Sequence, residues 1–228
     1  MAFTMPRKIA IIVASGTGSR MGGEIPKQFL PLKGKPVLVH TLEKFLAISG
    51  CEIILALSEE GFGYWESIAR EYLPGVPLTL VTGGETRFHS VKNALAAIEG
   101  DGPALVAIHD GVRPFVSLNI LLNSFVAAES FGAVVTYVDS KDSVRLSEGG
   151  TNRALDRRSV KLIQTPQTFR LSVLRNAYNV PYSEHFTDDA SVVEHSSHAI
   201  HLIEGSYSNI KITTPEDLVM GEVILSAQ

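Results

Sequence analysis

Apolar and polar positions recur on two different periods along the first 138 residues. Short apolar runs at 9–14, 53–57, 78–81, 104–108 and 133–138 have the length and side chains of buried strands. Between them, 37–48 sets Leu38, Leu42, Phe45 and Leu46 on one helical face, and 91–98 repeats that spacing with Val91, Ala94, Leu95 and Ile98. Helices also fit 59–72 and 117–130, the second opening on Ser117 as an N-cap shortly after Pro114. Strands alternating with helices in this way predict βαβ units and a mostly parallel sheet.

From residue 139 to 163 the pattern turns polar and alternating around Glu148-Gly149-Gly150. It predicts a β-hairpin leaving the main body, and since a lone hairpin is marginal in water, a second subunit is its expected support. The chain returns through 162–167 to helices, a strand near 199–203 and the segment 209–212. Thr214-Pro215-Glu216-Asp217 then opens a last helix, with Pro at N1 and acids in the first turn. The expected fold is α/β and Rossmann-like: one domain over residues 1–228, a mostly parallel central sheet flanked by helices, and residues 139–163 protruding as a dimerisation arm.

Composition narrows the partners. With 20 Lys+Arg against 24 Asp+Glu and no long basic run, a nucleic-acid backbone is not an expected ligand. Cys51 is the sole cysteine, which excludes an intrachain disulfide and a thiolate metal site and fits a reducing compartment. No run approaches the roughly 18 apolar residues of a spanning helix, so no membrane partner and a cytoplasmic location are expected.

In open sheets of this type, ligands bind beyond the carboxyl ends of the strands, so the segments following each strand carry the chemistry. After the first strand comes Ser15-Gly16-Thr17-Gly18-Ser19-Arg20, followed by Pro26-Lys27-Gln28. Glycines let backbone N–H groups close on an anion, and Arg20 and Lys27 add positive charge, as a polyphosphate site requires. The dinucleotide fingerprint fails, because Met21 stands at its third glycine and no acidic residue ends a second strand; a P-loop fails for want of Gly-Lys-Ser/Thr. After the third strand comes Gly83-Gly84-Glu85-Thr86-Arg87, and after the fourth His109-Asp110-Gly111-Val112-Arg113-Pro114. Asp110 is placed to hold a ribose hydroxyl, a substrate group or Mg²⁺, Arg113 to reach an anion, and His109 to serve a structural role. His185, His195, His198 and His201 read as surface histidines, and Ser90 lacks the frame of a nucleophile elbow.

Taken in chain order, these segments resemble the 2-C-methyl-D-erythritol 4-phosphate cytidylyltransferase family of the non-mevalonate isoprenoid pathway. The motifs are Gly16-x-Gly18-x-Arg20-Met21, Pro26-Lys27-Gln28, Gly83-Gly84-x-x-Arg87-x-x-Ser90-Val91, His109-Asp110-x-x-Arg113-Pro114, Thr165-Pro166-Gln167, Thr187-Asp188-Asp189-Ala190-Ser191 and Asn209-Ile210-Lys211-Ile212-Thr213, and they cover nearly the whole chain. The resemblance implies a nucleotidyltransferase in which the substrate's phosphate oxygen attacks the α-phosphorus of CTP and pyrophosphate leaves, with Mg²⁺ or another divalent cation. By the same resemblance, Arg20 and Lys27 stabilise the transition state, Ala14, Ser15, Gly16, Thr17 and Gly18 cradle the nucleotide phosphates, and Gly83, Glu85 and Ser90 line the base pocket. Asp110 and Gly111 would lie near the ribose and metal. Asp110, Arg113, Thr165 and Lys211 would hold methylerythritol phosphate, joined by Ser143 and Arg157 from a partner's arm in an arm-exchanged homodimer, with Arg157 and Lys211 aiming the attacking phosphate. Ser15 stands where the family often has Gly or Ala, Glu85 where Asp is frequent, Val112 in an Ala position, and Ser143 in place of Thr. The alternatives are a ribitol 5-phosphate cytidylyltransferase and, from another class, a catalytically silent nucleotide-binding module.

Overall fold

A computed structural model describes residues 6–16 and 25–227. The chain runs β1 (Arg7–Ala14), β2 (Pro31–Leu32), β3 (Lys35–Pro36), α1 (Val37–Leu46), β4 (Cys51–Leu57), α2 (Glu59–Tyr72), β5 (Thr79–Thr82), α3 (Arg87–Ala96), β6 (Ala104–Asp110) and α4 (Leu118–Phe131). It continues through β7 (Ala133–Asp139), β8 (Val144–Glu148), β9 (Thr151–Leu155), β10 (Lys161–Arg170), α5 (Leu171–Ala177), α6 (Asp189–His195), β11 (His201–Glu204) and α7 (Pro215–Ser226). The seven-stranded sheet has the order β11-β7-β10-β6-β1-β4-β5, and only β10 runs antiparallel to its neighbours.

The apolar runs became central strands because both faces of the sheet are covered, so successive residues on either side must be apolar. In β1, Ile9 and Ile11 pack with Phe88, Val91 and Leu95 of α3, while Ala10 and Ile12 meet the opposite layer, with Leu38, Leu42 and Phe45 of α1. A smaller cluster of Leu32, Val37, Val112, Phe115 and Ile212 seats α7 near the sheet's carboxyl edge.

Local signals set the helix starts. Ser58, Thr86 and Ser117 cap α2, α3 and α4 through side-chain oxygens. Thr214 and Asp217 form a capping box at α7. Capping by Thr86 starts α3 four residues before the apolar stripe predicted at 91–98.

The strand β10 departs from the sequence reading, which passed from 162–167 directly to helices. Its sequence Lys161–Arg170 is polar, yet it lies centrally between β6 and β7, where Gln164, Thr165, Gln167 and Thr168 are buried. Hydrogen bonds replace apolar packing there: Thr168 Oγ1 donates to Ser124 Oγ at 2.9 Å, and Gln167 Nε2 to Asp188 Oδ2 at 2.8 Å. The segment 209–212 is irregular rather than extended, tied back by Ile212 N–H donating to Val112 C=O at 2.9 Å. The hairpin β8–β9 forms a separate two-stranded sheet with Gly149 and Gly150 at its turn, both at positive φ.

Chain order reverses at β1. It proceeds to β4 and β5 on one side and then crosses to β6 on the other, leaving a crevice between the ends of β1 and β6.

Candidate active site

At this crevice the backbone after β1 is pinned from below. Gln28, fully buried in the helical turn Lys27–Phe29, donates from Nε2 to the carbonyls of Ala14 at 2.8 Å and Gly16 at 3.1 Å. The same turn brings Lys27 to the rim of the crevice. Opposite, Gly83 N–H donates to Leu57 C=O at 2.7 Å, and a Cβ on Gly83 would lie 2.3 Å from Ser15 Cβ. Only glycine permits the two loops to touch there. Ser90 Oγ accepts from Gly84 N–H at 3.1 Å, donates to Thr86 C=O at 3.0 Å and meets Ser15 Oγ at 2.8 Å. Its single proton goes to Thr86, so Ser15 is the donor between the serines.

These loops enclose a cavity of about 220 Å³ lined by Ala14, Ser15, Gly16, Lys27, Gln28, Gly84, Glu85, Thr86 and Val112, with Arg87, Asp110 and Lys211. A second cavity, of about 310 Å³, is lined by Arg113, Ile163, Gln164, Thr165, Gln167, Thr187 and Asp188, again with Arg87, Asp110 and Lys211. Those three side chains are common to both cavities and mark their junction.

Charge is concentrated at that junction. Asp110 Oδ2 accepts from Lys211 Nζ at 2.9 Å and Arg113 Nε at 3.3 Å, and Oδ1 from Arg87 Nε at 3.4 Å. Burial alone would raise the Asp110 pKa, but Arg87, Lys211 and Arg113 outweigh it and hold the carboxyl far below the usual range. Arg87 also donates from Nη2 to the fully buried Asp189 at 2.7 Å. Within the ion-paired cluster Arg87, Arg113 and Lys211 outnumber Asp110 and Asp189, while Lys27 and two further acids, Glu85 and Asp188, line the flanking cavities.

His109 supports this arrangement from beneath, fully buried against Phe45 with ring centroids 5.1 Å apart. Its Nε2 meets Arg113 C=O at 3.1 Å, so Nε2 carries the proton, and Nδ1 accepts from Thr165 Oγ1 at 3.0 Å. Thr165 Oγ1 in turn accepts from Asp110 N–H at 3.1 Å. Burial lowers the His109 pKa to about 4, keeping the ring neutral, which is the structural role expected of it.

The structure brings together Ala14, Ser15, Gly16, Lys27, Glu85, Asp110, Arg113, Thr165 and Lys211 as cavity-lining residues. Gly83, Ser90 and Gly111 belong to the supporting layer; Gly111 donates to Val13 C=O at 2.8 Å, and its Cβ would fall 2.9 Å from Ala14 Cβ. Thr17, Gly18 and Arg20 lie outside the described residues. Ser143 and Arg157 line neither cavity; Arg157 sits at the base of the hairpin and donates to Lys141 C=O at 2.9 Å.

Sequence reasoning missed Arg87, Gln28 and Asp189 as members of the site. All three stood inside quoted motifs, but Asp189 resembles an ordinary helix-start acid until its burial is seen. Among the described residues, no group of three or more His, Cys, Asp or Glu could hold a metal ion. Asp110 fits a divalent cation only as one ligand of an ion whose other ligands are phosphate oxygens and water, the usual arrangement for Mg²⁺.

The model of the 2-C-methyl-D-erythritol 4-phosphate cytidylyltransferase family matches residues 8–227. The enzyme of that name from Phocaeicola vulgatus is 46% identical over 216 residues, covering 94% of this chain and 98% of its own. That from Clostridium novyi is 40% identical, covering 97% of each chain. Among solved structures, the 4-diphosphocytidyl-2C-methyl-D-erythritol synthase of Anaerococcus prevotii superposes with a TM-score of 0.83 at 30% identity, covering 97% of this chain and 96% of that one. The Thermus thermophilus cytidylyltransferase gives a TM-score of 0.77 at 30% identity, covering 97% and 100%. A phosphate-suited crevice at the reversal point of the sheet, with family likeness along almost the whole chain, leads to one assignment: the chain belongs to the 2-C-methyl-D-erythritol 4-phosphate cytidylyltransferase family of nucleotidyltransferases.

Proposed function

We propose that the two cavities are the nucleotide and acceptor halves of one site, in which a cytidylyl group passes from CTP to 2-C-methyl-D-erythritol 4-phosphate. The products are 4-diphosphocytidyl-2-C-methyl-D-erythritol and pyrophosphate. The observation that carries this reading is the junction itself: Arg87, Asp110 and Lys211 line both cavities, so two ligands would meet over one cationic cluster.

The triphosphate takes the cavity side of Ala14, Ser15 and Gly16 with Lys27 at its rim, and the family resemblance adds Thr17, Gly18 and Arg20, which lie outside the described residues. The base lies toward Gly83, Glu85 and Ser90, its contacts supplied mainly by backbone of the 83–86 loop because Glu85 is exposed. Asp110 faces the ribose, with Gly111 packed behind it, its N–H donating to Val13 C=O and its C=O accepting from Thr41 Oγ1. In the acceptor half, Asp110, Arg113, Thr165 and Lys211 hold the polyol phosphate. Its phosphate is already anionic near neutral pH, so attack on the α-phosphorus needs no general base; a P–O bond forms as the bond to pyrophosphate breaks. Lys27 and Arg20 stabilise the charge that accumulates on the α-phosphate and the leaving group. Asp110 would be the protein ligand of a bound Mg²⁺, which would neutralise phosphate oxygens.

Ser143 and Arg157 act in this reading from the arm of a second copy, completing the acceptor half in trans within a homodimer. Two observations support it: the hairpin is a sheet apart, and Leu146, Leu162 and Ile163 on or beside it are exposed. A cytoplasmic location goes with this reading, and no helix among the described residues is long and apolar enough to cross a membrane.

Pyrophosphate release from CTP and Mg²⁺ with methylerythritol 4-phosphate, compared with ribitol 5-phosphate, tests the reading. Turnover with the first and little with the second is expected. Preference for ribitol 5-phosphate would reassign the acceptor, and turnover with neither would leave a nucleotide-binding module.

A further inference from the structure

Arg87 is held from behind by a closed circuit of side chains. Its Nη2 donates to Asp189 Oδ2 at 2.7 Å, and the other oxygen of Asp189 accepts from the Tyr178 hydroxyl at 2.6 Å. The Tyr178 ring stacks on Phe88, the next residue of α3, with centroids 4.9 Å apart. Tyr178 and Asp189 are both buried, and Asp189 is closed off from solvent entirely. The guanidinium plane is therefore fixed by groups that no substrate reaches.

In front, Arg87 meets only one oxygen of Asp110. Oδ1 faces Arg87 Nε, while Oδ2 faces Arg113 Nε and Lys211 Nζ. A carboxylate's terminal torsion is soft, so nothing in Asp110 itself fixes the plane in which its two equivalent oxygens lie. Lys211, more than a third exposed, has a flexible stem and would follow the carboxylate if it rotated.

We propose that Arg87 is a positioning residue for the transfer reaction: anchored on Asp189 and Tyr178, it sets the rotation of the Asp110 carboxylate and so the placement of Lys211 and Arg113 toward the acceptor phosphate. The inference rests on the reading of Asp110, Arg113 and Lys211 as acceptor-binding side chains. Lysine does not substitute, because its donors radiate from a single nitrogen, whereas Arg87 reaches Asp110 and Asp189 from two separate nitrogens, Nε and Nη2, held in one rigid plane.

The test is a double-mutant cycle on kcat and on the KM of each substrate, using Arg87→Gln, Asp110→Asn and the pair. Arg87→Gln is expected to lower kcat about tenfold or more, with a smaller change in the KM for CTP. In the Asp110→Asn background the same change should cost no more than about a third of that factor, because its effect passes through the lost carboxylate. A larger cost there overturns the inference. Normal turnover by Asp110→Asn alone overturns the site reading instead, so the two failures are distinguishable. If Arg87→Gln does not fold, owing to the uncompensated Asp189, the cycle is run with Arg87→Gln/Asp189→Asn, which removes both charges of the buried pair together. Recovery of full kcat by Arg87→Lys would also overturn the proposal.

Discussion

Mild acid should destabilise this fold chiefly through one fully buried ring, His109, with His40, whose pKa burial also lowers, adding in the same direction. His109 holds Arg113, Thr165 and, through Thr165, the Asp110 backbone, and it does so as a neutral donor and acceptor. Burial lowers its pKa from 6.5 to about 4. Between those values the unfolded chain binds a proton that the folded chain refuses, so stability falls as the pH is lowered through this window. From about pH 7.5 to about pH 5 the loss is about 2 kcal/mol, rising toward about 3 kcal/mol near pH 4. Asp110 does not contribute in that range: its folded pKa is depressed, so its stabilisation is complete above the ordinary carboxylate pKa and is lost only in stronger acid. The comparison is wild type against His109→Gln, whose amide offers a donor and an acceptor without titrating. Urea unfolding at both pH values should show wild type losing about 2 kcal/mol more than the variant across the step. Equal losses would refute the assignment of a buried neutral His109.

Further outcomes follow from the site geometry. Lys27→Ala should lower turnover by about a hundredfold to a thousandfold, the scale of a lost transition-state donor, in a variant shown by urea unfolding to be folded; normal turnover would remove Lys27 from the mechanism. Gln28→Ala leaves the Ala14 and Gly16 carbonyls without their donor and should cost about 1–3 kcal/mol in unfolding experiments, with a raised KM for CTP. Heterodimers of Arg157→Ala and Lys27→Ala subunits should regain activity that neither homodimer has, since one of their sites would be intact; confirmed heterodimers without recovery would place Arg157 outside a shared site.

Where burial and apolarity coincide, the sequence was easy to read. β1, β4, β6 and β7 lie between two helical layers, so their residues had to be apolar on both faces, and α1 shows the matching stripe. β10 escaped because its buried positions are Gln and Thr, whose partners are long-range: Gln164 meets Asn209, and Thr165 meets His109. Pro166 within the run also speaks against a central strand. At the site, the motif residues Lys27, Asp110, Arg113 and Lys211 were legible as charges beside strand ends. Their hierarchy was not. That Asp110 faces three cations, that Asp189 is sealed beneath Arg87, and that Ser90 organises the loop of residues 83–86 from within are facts of packing. At Cys51, the first residue of β4, burial pushes the thiol pKa up to about 12.

The central claim is that the cationic junction serves attack on the α-phosphorus of CTP. It is tested most directly by running the reaction with CTP labelled at the α-phosphorus, and in parallel at the γ-phosphorus, and separating the products. The α-label should appear in the diphosphocytidyl product and the γ-label in pyrophosphate, with both signals falling together in Lys27→Ala. Recovery of γ-label in the polyol product, with the α-label left in cytidine diphosphate, would contradict it.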